Sequence, residues 1–545
     1  MPSSFREEVL KAIDVLDSYC QQKDSLWLYD LLMTANDRMI QAVYSPSELN
    51  VSSEKDPGLQ ATIEYVKILY LEEAYESVLQ AVDNRDVTTL SSSELFWASD
   101  AAYHLVYDHQ GRHVPNDAMD RYQHELQRRF ESNQLDPFGA YCLGKIWKRA
   151  NNTQAVSAFL HSISNFPYFW SCWLELSGVI LDTQSFDETI NTIPGRCLLK
   201  FFFQLHTTNR LLTSSVALSL YQTLHSLFPD SFYLRLQYCV YLYNHEEFAK
   251  AFELLSSTDL AGPHTPSDTD LFFILSCNTL YALRDADRLL LLIDQLTALD
   301  PVSSVLTLLQ GSYWSLLGDH EKAILDFTSA ASRTNSYDAW LQLGHEYADL
   351  SCPKEAVAAY QKASRENPYD YRAFFAMAQM YAQGVNADMA YYYFVKAIAL
   401  QSRKTTLWLA LGNFHSQQHE ERKAVAAWRR GCECDRELGT RDGRRCALQC
   451  CSLDTATVEE CERWVWSVVE TRDRTVALPE GMEVVRRVLE ETKDYAKGME
   501  LCDRLCNVFG DMVALTEMAG ERRSQLRQLL ESSKRLACFL ETEEI

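Results

Sequence analysis

The residues that could do chemistry are scattered, and none of them forms a catalytic motif. The sequence has no GxGxxG, GxxxxGK[ST], GxSxG or HExxH pattern, so the common nucleotide-binding, hydrolase and zinc-protease motifs are absent. His104, His109 and His113 cluster around Asp108, but their spacing differs from the i, i+4 pair with which a helix holds a metal ion. We therefore predict a chain that is not an enzyme, with no catalytic residue, no metal site and no cofactor.

The 16 cysteines point to a reduced environment rather than to a metal site. No CxxC pair has a matching second pair, so a structural zinc site is not expected. Several cysteines lie in apolar stretches, where the thiol acts as a small core residue: Cys142, Cys172, Cys239 and Cys277. We expect a reduced, intracellular location.

A row of polar side chains could bind a ligand without reacting with it. It recurs about every 34 residues on otherwise apolar segments and consists of Asn278, Ser312, His345, Gln379 and Asn413. Amides and hydroxyls at this period can hydrogen-bond an extended peptide backbone of any sequence. The alternative is that this polar row merely faces water, or that His345 is a partly buried helix residue.

Acidic residues next to the polar row favour a basic ligand. Glu346 and Asp349 are the candidate carboxylates, with Glu346 the first choice. The position four residues before each member of the row is apolar, which excludes the lysine or arginine clamp that grips a C-terminal carboxylate. An arginine fits best, because its planar fork can bind one carboxylate through two hydrogen bonds.

The polar row belongs to a helical repeat. The segment DAWLQLGHEYADLSCPKEAVAAYQKASRENP has large residues at positions 4, 7, 11 and 24, small ones at 8 and 20, and proline at 32. This is the tetratricopeptide (TPR) pattern. Position 8 recurs in register at Gly311, Gly344, Ala378 and Gly412. We predict about nine repeats between Pro137 and Leu438, and an all-α, right-handed TPR superhelix whose concave face carries the polar row at position 9.

Composition and charge agree with a binding scaffold. Glycine (19) and proline (14) are scarce for an all-β chain of 545 residues. The formal charge of −24 disfavours nucleic acid and acidic membranes as partners and favours basic peptides, although a solvated acidic surface explains it equally well. The most apolar stretch, Leu271–Leu299, is interrupted by charges, so no membrane span is predicted.

The repeats divide the chain into four predicted regions. These are an N-terminal helical region with degenerate repeats (1–135), central TPR repeats (136–268), a C-terminal TPR superhelix with the peptide groove (269–438) and a divergent helical cap (439–545). Two helices are expected within 1–45, loops at Val51–Gly58 and Asp108–Pro115, and further helices after 456. Atypical ends are normal for a solenoid, because the terminal repeats must present a polar face.

Five short motifs resemble one TPR family. They are Gly344–Tyr347 (GHEY), the Ala356–Tyr360 helix, Asp370–Ala373 (DYRA), Gln379–Tyr381 and Tyr391–Tyr393 (YYY). This combination is similar to scaffold subunit eight of the anaphase-promoting complex, the cell-division-cycle twenty-three type. The resemblance covers about 136–435 and is weak at both ends. It departs from the family at Met377-Ala378, where the family has Leu-Gly.

The resemblance implies a function that composition and spacing do not give. The family is a non-catalytic subunit of a cullin–RING ubiquitin ligase that promotes ubiquitination of cell-cycle proteins. Its partners are the other subunits of the complex, a second copy bound through the N-terminal repeats, and an arginine-bearing N-terminal peptide of the coactivator. Two alternatives stay open: a TPR adaptor of another assembly, in trafficking or RNA processing, and a TPR regulatory arm on an enzyme.

Overall fold

The computed structural model describes residues 3–33, 65–107, 116–258 and 266–452, with short gaps at 84, 151–153, 194–196, 302, 335, 385 and 435–440. The chain divides into two compact units, Met1–Ala373 and Phe374–Ile545. The division falls inside the predicted C-terminal superhelix. The predicted loops at Val51–Gly58 and Asp108–Pro115, and the helices predicted after 456, lie outside the described residues.

Every regular element in the described part of the chain is a helix. The N-terminal region holds the two helices expected in 1–45 and several more before the first regular repeat: Ser3–Ser18, Gln22–Met33, a helical stretch at 65–71, Tyr75–Asp83, a 3₁₀ turn at Val87–Thr89, Ser92–Tyr107 and Asn116–Glu131. None of the described helices combines the length and the apolar character needed to cross a bilayer.

Nine consecutive helix pairs follow, which confirms the predicted all-α TPR architecture. The four central pairs are Pro137–Arg149 with Ala155–Asn165, Trp170–Val179 with Thr183–Thr192, Leu199–Arg210 with Ser214–Leu227, and Phe232–Asn244 with Phe248–Ser256. The five C-terminal pairs are Pro266–Leu283 with Ala286–Leu299, Ser304–Leu317 with His320–Thr334, Tyr337–Asp349 with Pro353–Glu366, Tyr371–Gln383 with Ala387–Leu400, and Thr405–Gln417 with Glu421–Cys434. A last described helix is Arg441–Ser452.

The helices begin and end where local chemistry requires it. Asp136 caps the helix that starts at Pro137, because its carboxylate accepts a hydrogen bond from the Gly139 backbone N–H. Between the paired helices of a repeat, the chain passes through the left-handed region at position 15, at Gly318 and again at Ser351. This conformation breaks the first helix and turns the second one back against it.

The small residue at position 8 sets the distance between the two helices of a repeat. A Cβ added at Gly344 would lie closer than 3.0 Å to the ring of Tyr360, the position-24 residue of the same repeat. Gly412 stands in the same relation to Trp428. Because both rings are buried at 1% exposure, the contact between positions 8 and 24 is a close packing contact in these two repeats.

One contact within the first unit joins repeats that are distant in sequence. The Arg149 guanidinium donates through Nη1 to the carbonyls of Arg365 and Glu366, at 3.1 and 2.9 Å. The Tyr369 hydroxyl donates to the carbonyl of Lys148. The end of the first central helix therefore binds the end of a helix more than 200 residues later, and the two segments hold each other in place.

Candidate peptide-binding groove

The polar row lies on the first helix of each C-terminal repeat, as the spacing predicts, but its members differ in exposure. His345, Gln379 and Asn413 are exposed, Asn278 is half-buried, and Ser312 is buried. Asn278, Ser312 and His345 belong to the first unit, whereas Gln379 and Asn413 belong to the second. The first three residues therefore form one candidate groove in the first unit, and the last two lie in the second unit.

Asn278 and Ser312 share one small cavity of about 190 Å³. Gln342 and Tyr243 also line it, so amide, hydroxyl and phenol groups surround the same space. The Ser312 hydroxyl donates to the Leu308 carbonyl at 3.0 Å, which leaves its oxygen lone pairs as acceptors. This cavity can receive a backbone N–H or a small polar side chain of an extended peptide.

Two members of the polar row also hold their own repeat together. The Tyr360 hydroxyl lies 2.9 Å from His345 Nδ1, and Trp428 Nε1 donates to Asn413 Oδ1 at 3.2 Å. In both repeats the position-9 side chain thus contacts the position-24 ring. Desolvation lowers the pKa of His345, an effect that Arg372 reinforces and Asp349 opposes. A neutral imidazole is favoured near pH 7.

Glu346 is buried, which argues against its assignment as the first-choice carboxylate for a ligand. Its side chain is buried at 2% exposure and accepts a hydrogen bond from His320 Nδ1 at 2.8 Å. His320 begins the second helix of the preceding repeat, so this pair joins two repeats. The hydrogen bond to Glu346 raises the pKa of His320. The sequence around Glu346 does not reveal its pairing with His320, because the two residues are 26 positions apart.

Asp349 is the exposed carboxylate of this cluster. Its oxygen, the Glu346 oxygen and the His320 ring nitrogen all lie within 4.8 Å of one another. One imidazole and two carboxylates are donors that a divalent metal accepts. A metal would have to displace the existing 2.8 Å hydrogen bond between His320 and Glu346.

Arg372 shows how this surface holds a guanidinium. Its Nη2 lies 3.0 Å from Asp338 and 2.8 Å from Asp370, and the guanidinium stands 5.0 Å from the centre of the Tyr337 ring. Burial opposes the charge of Arg372, but the two carboxylates outweigh it and raise the pKa. Asp338 and Arg372 occupy position 2 of consecutive repeats, next to the polar row.

The N-terminal helix Gln22–Met33 packs against the first helices of two central repeats. Asp24 accepts hydrogen bonds from the backbone N–H of Ser171 at 2.6 Å and from its hydroxyl at 2.7 Å. Trp27 stacks on Trp170 at 4.5 Å and meets Tyr233 edge-on at 5.7 Å. Ser171 and Tyr233 hold position 2 of their repeats, one of the inward-facing positions. The sequence carries little signal for this arrangement beyond an isolated tryptophan on a helix of mixed polarity.

The fold defines a class: the chain is a tetratricopeptide-repeat protein, built of consecutive helix pairs. Residues 98–239 match the family model described as anaphase promoting complex subunit 8/Cdc23. This match confirms the resemblance to that family; it covers central repeats and does not extend to the GHEY, DYRA and YYY motifs at 344–393.

Curated relatives carry the same name. The chain is 28% identical over 245 residues to anaphase-promoting complex subunit 8 of Arabidopsis thaliana, a match that covers 43% of this chain and 40% of the relative. It is 28% identical over 161 residues to the cell division cycle protein 23 homolog of Homo sapiens, covering 29% and 26%. The matched part thus spans well under half of these relatives.

A solved structure is also similar. The crystal structure of the APC/C hetero-tetramer Cut9–Hcn1 aligns with 82% of this chain and 89% of that chain, at 13% sequence identity and a TM-score of 0.48.

Proposed function

We propose that this chain is a non-catalytic scaffold subunit of the anaphase-promoting complex, a cullin–RING ubiquitin ligase. It binds neighbouring subunits and so promotes ubiquitination of cell-cycle proteins in the nucleus and cytoplasm. The observation that carries the proposal is the match of residues 98–239 to the subunit 8/Cdc23 family model. Its nine consecutive helix pairs are the repeat type from which scaffold proteins build binding surfaces.

The C-terminal repeats bind an extended, arginine-containing peptide of the coactivator. Asp349 receives the guanidinium, in place of the buried Glu346. The cavity at Asn278 and Ser312 takes a polar group of the same peptide. The support is chemical: Arg372 is already held by two carboxylates and an aromatic ring on this surface, and an exposed carboxylate such as Asp349 offers a ligand arginine the same kind of partner.

A second copy is the remaining proposed partner, bound through the N-terminal half. The helices that cover the central repeats are joined to them by side-chain contacts around Asp24 and Trp27. The equivalent helices of a second copy can make the same contacts, because exchange of an identical element between protomers is a low-cost route to a dimer. Light scattering of the full chain at micromolar concentration tests this, and a monomer mass argues against it.

Co-purification tests the scaffold role. The tagged full-length chain is expected to bring down the other subunits of the anaphase-promoting complex, identified by mass spectrometry. Recovery of a trafficking or RNA-processing assembly instead would replace the proposal with the adaptor alternative.

Calorimetry tests the peptide site. The ligand is a synthetic peptide that carries the coactivator's arginine-bearing box, with an arginine-to-lysine peptide beside it. Asp349→Asn is expected to weaken binding of the arginine peptide about tenfold, which is about 1.4 kcal/mol, and to affect the lysine peptide less. Glu355→Gln is the matched control, because Glu355 is exposed on the second helix of the same repeat. Equal affinity of both variants would place the guanidinium elsewhere.

A further inference from the structure

An apolar cavity of about 650 Å³ opens between three helices of the first unit, Phe248–Ser256, Pro266–Leu283 and Ala286–Leu299. Its lining shares no residue with the polar row and is largely apolar: Phe252, Leu255, Phe272, Leu291, Leu292 and Leu299. Ser276 lines it from the same helix that carries Asn278. Two residues along a helix turn the side chain by about 200°, so the cavity and the polar row use opposite sides of that helix.

A buried hydroxyl that lines this cavity lacks a hydrogen-bond partner among the described residues. Ser276 is 1% exposed, and its Oγ has no hydrogen-bond partner among the residues that the structure describes. Buried polar groups are nearly always paired, and an unpaired one costs free energy. A hydroxyl that lines an apolar cavity in this state is complementary to an occupant that brings a donor or an acceptor.

The rim of the cavity is apolar and unusually exposed. Leu291 is 63% exposed and Leu299 is 61% exposed, and both line the opening. They are eight residues apart on one helix, which is about 12 Å or two helical turns. A molecule that only fills the cavity would leave both leucines in water, whereas a second helix laid along the opening would cover them.

The one charged residue among those lining the cavity is Arg288. Its guanidinium stands 5.3 Å from the centre of the Phe252 ring, and its side chain is 58% exposed, with an ion pair of 3.3 Å to Asp285. The cation thus lies at the mouth of the cavity and faces solvent. It complements an anion on the occupant rather than a second cation.

We propose that this cavity docks an amphipathic helix of a partner protein. The partner inserts apolar side chains at i, i+4 and i+7 between Leu291 and Leu299. It places a carboxylate near Arg288 and a polar atom near Ser276. The occupant is a helix because the apolar rim extends over two turns, and it is acidic on one edge because the lining offers a single cation. This surface is a docking site separate from the proposed peptide groove.

Fluorescence anisotropy on the full-length chain tests the proposal. The probe is a fluorescein-labelled, alanine-based helical peptide with leucine at i, i+4 and i+7 and glutamate on the edge of that face. Binding in the micromolar range is expected. Leu291→Ser and Arg288→Gln should each weaken it at least fivefold. Both side chains are exposed, so neither substitution threatens the fold.

Two controls make the result decisive. Leu325→Ser removes an even more exposed leucine, at 69%, which does not line the cavity, and it should leave the affinity unchanged. A peptide with serine in place of the three leucines should not bind. The proposal is overturned if Leu291→Ser and Leu325→Ser weaken peptide binding equally. It is also overturned if the small apolar anion anilinonaphthalene sulfonate binds the chain and the helical peptide does not.

Discussion

Gly344→Ala is the smallest change that tests the packing of a repeat. The added Cβ would lie closer than 3.0 Å to the Tyr360 ring. That ring is 1% exposed, and its hydroxyl is bonded to His345, so it cannot move aside freely. Overpacking of this kind costs about 1–3 kcal/mol. The better helix propensity of alanine returns about 1 kcal/mol, and we expect a net destabilisation of up to about 2 kcal/mol.

A double-mutant cycle isolates the cause. In a Tyr360→Ala background the ring is absent, so Gly344→Ala should become neutral or stabilising. The coupling between the two sites should then reach about 2 kcal/mol, within the range measured for residues in contact. Gly384→Ala is the matched control, because the nearest atom to its added Cβ is a backbone oxygen at 3.6 Å.

Urea unfolding gives the free energies, and hydrogen exchange of Tyr337–Glu366 shows whether the damage stays within that repeat and its neighbours. An equal cost of Gly344→Ala with and without the Tyr360 ring would refute the packing argument.

Three further outcomes are expected. His320→Ala should cost about 1–3 kcal/mol in urea unfolding, because it removes the hydrogen bond to the buried Glu346 carboxylate; an unchanged midpoint would contradict this. Burial and the charge of Asp268 raise the pKa of Asp30 from 3.8 to about 7. Between these two pKa values the folded state retains a proton on Asp30 that the unfolded state loses. The stability that the protonated Asp30 contributes therefore falls as the pH rises from about 4 to 7. Asp30→Asn should therefore stabilise the chain more at pH 8 than at pH 4 in thermal melts, and a pH-independent effect would exclude titration of Asp30. Trp27→Ala should lower the free energy of unfolding by about 3–5 kcal/mol and make residues 3–33 sensitive to limited proteolysis. A variant that resists the protease as well as the wild type does would contradict this.

The helical repeat could be predicted from the sequence because it depends on local spacing. Small residues at position 8 and rings at position 24 recur in register, and the structure places Gly344 against Tyr360 as the pattern requires. The site was less accessible. Glu346 looked like a groove residue because position 10 borders the concave side, but its partner His320 lies on another repeat. Contacts between distant segments leave no periodic trace in a single sequence.

The contact between Trp27 and Tyr233 has a consequence for the order in which the chain matures during synthesis. A TPR array can in principle fold as it leaves the ribosome, because each repeat needs only its neighbour. Here the tryptophan emerges first, its stacking partner Trp170 follows 143 residues later and Tyr233 follows 206 residues later, delays of roughly 7–30 s and 10–40 s at ordinary elongation rates. Until both partners have emerged, the apolar face of Gln22–Met33 cannot make its full set of contacts with the central repeats. This short segment is where a nascent-chain chaperone would be needed, and where a second nascent copy could be captured.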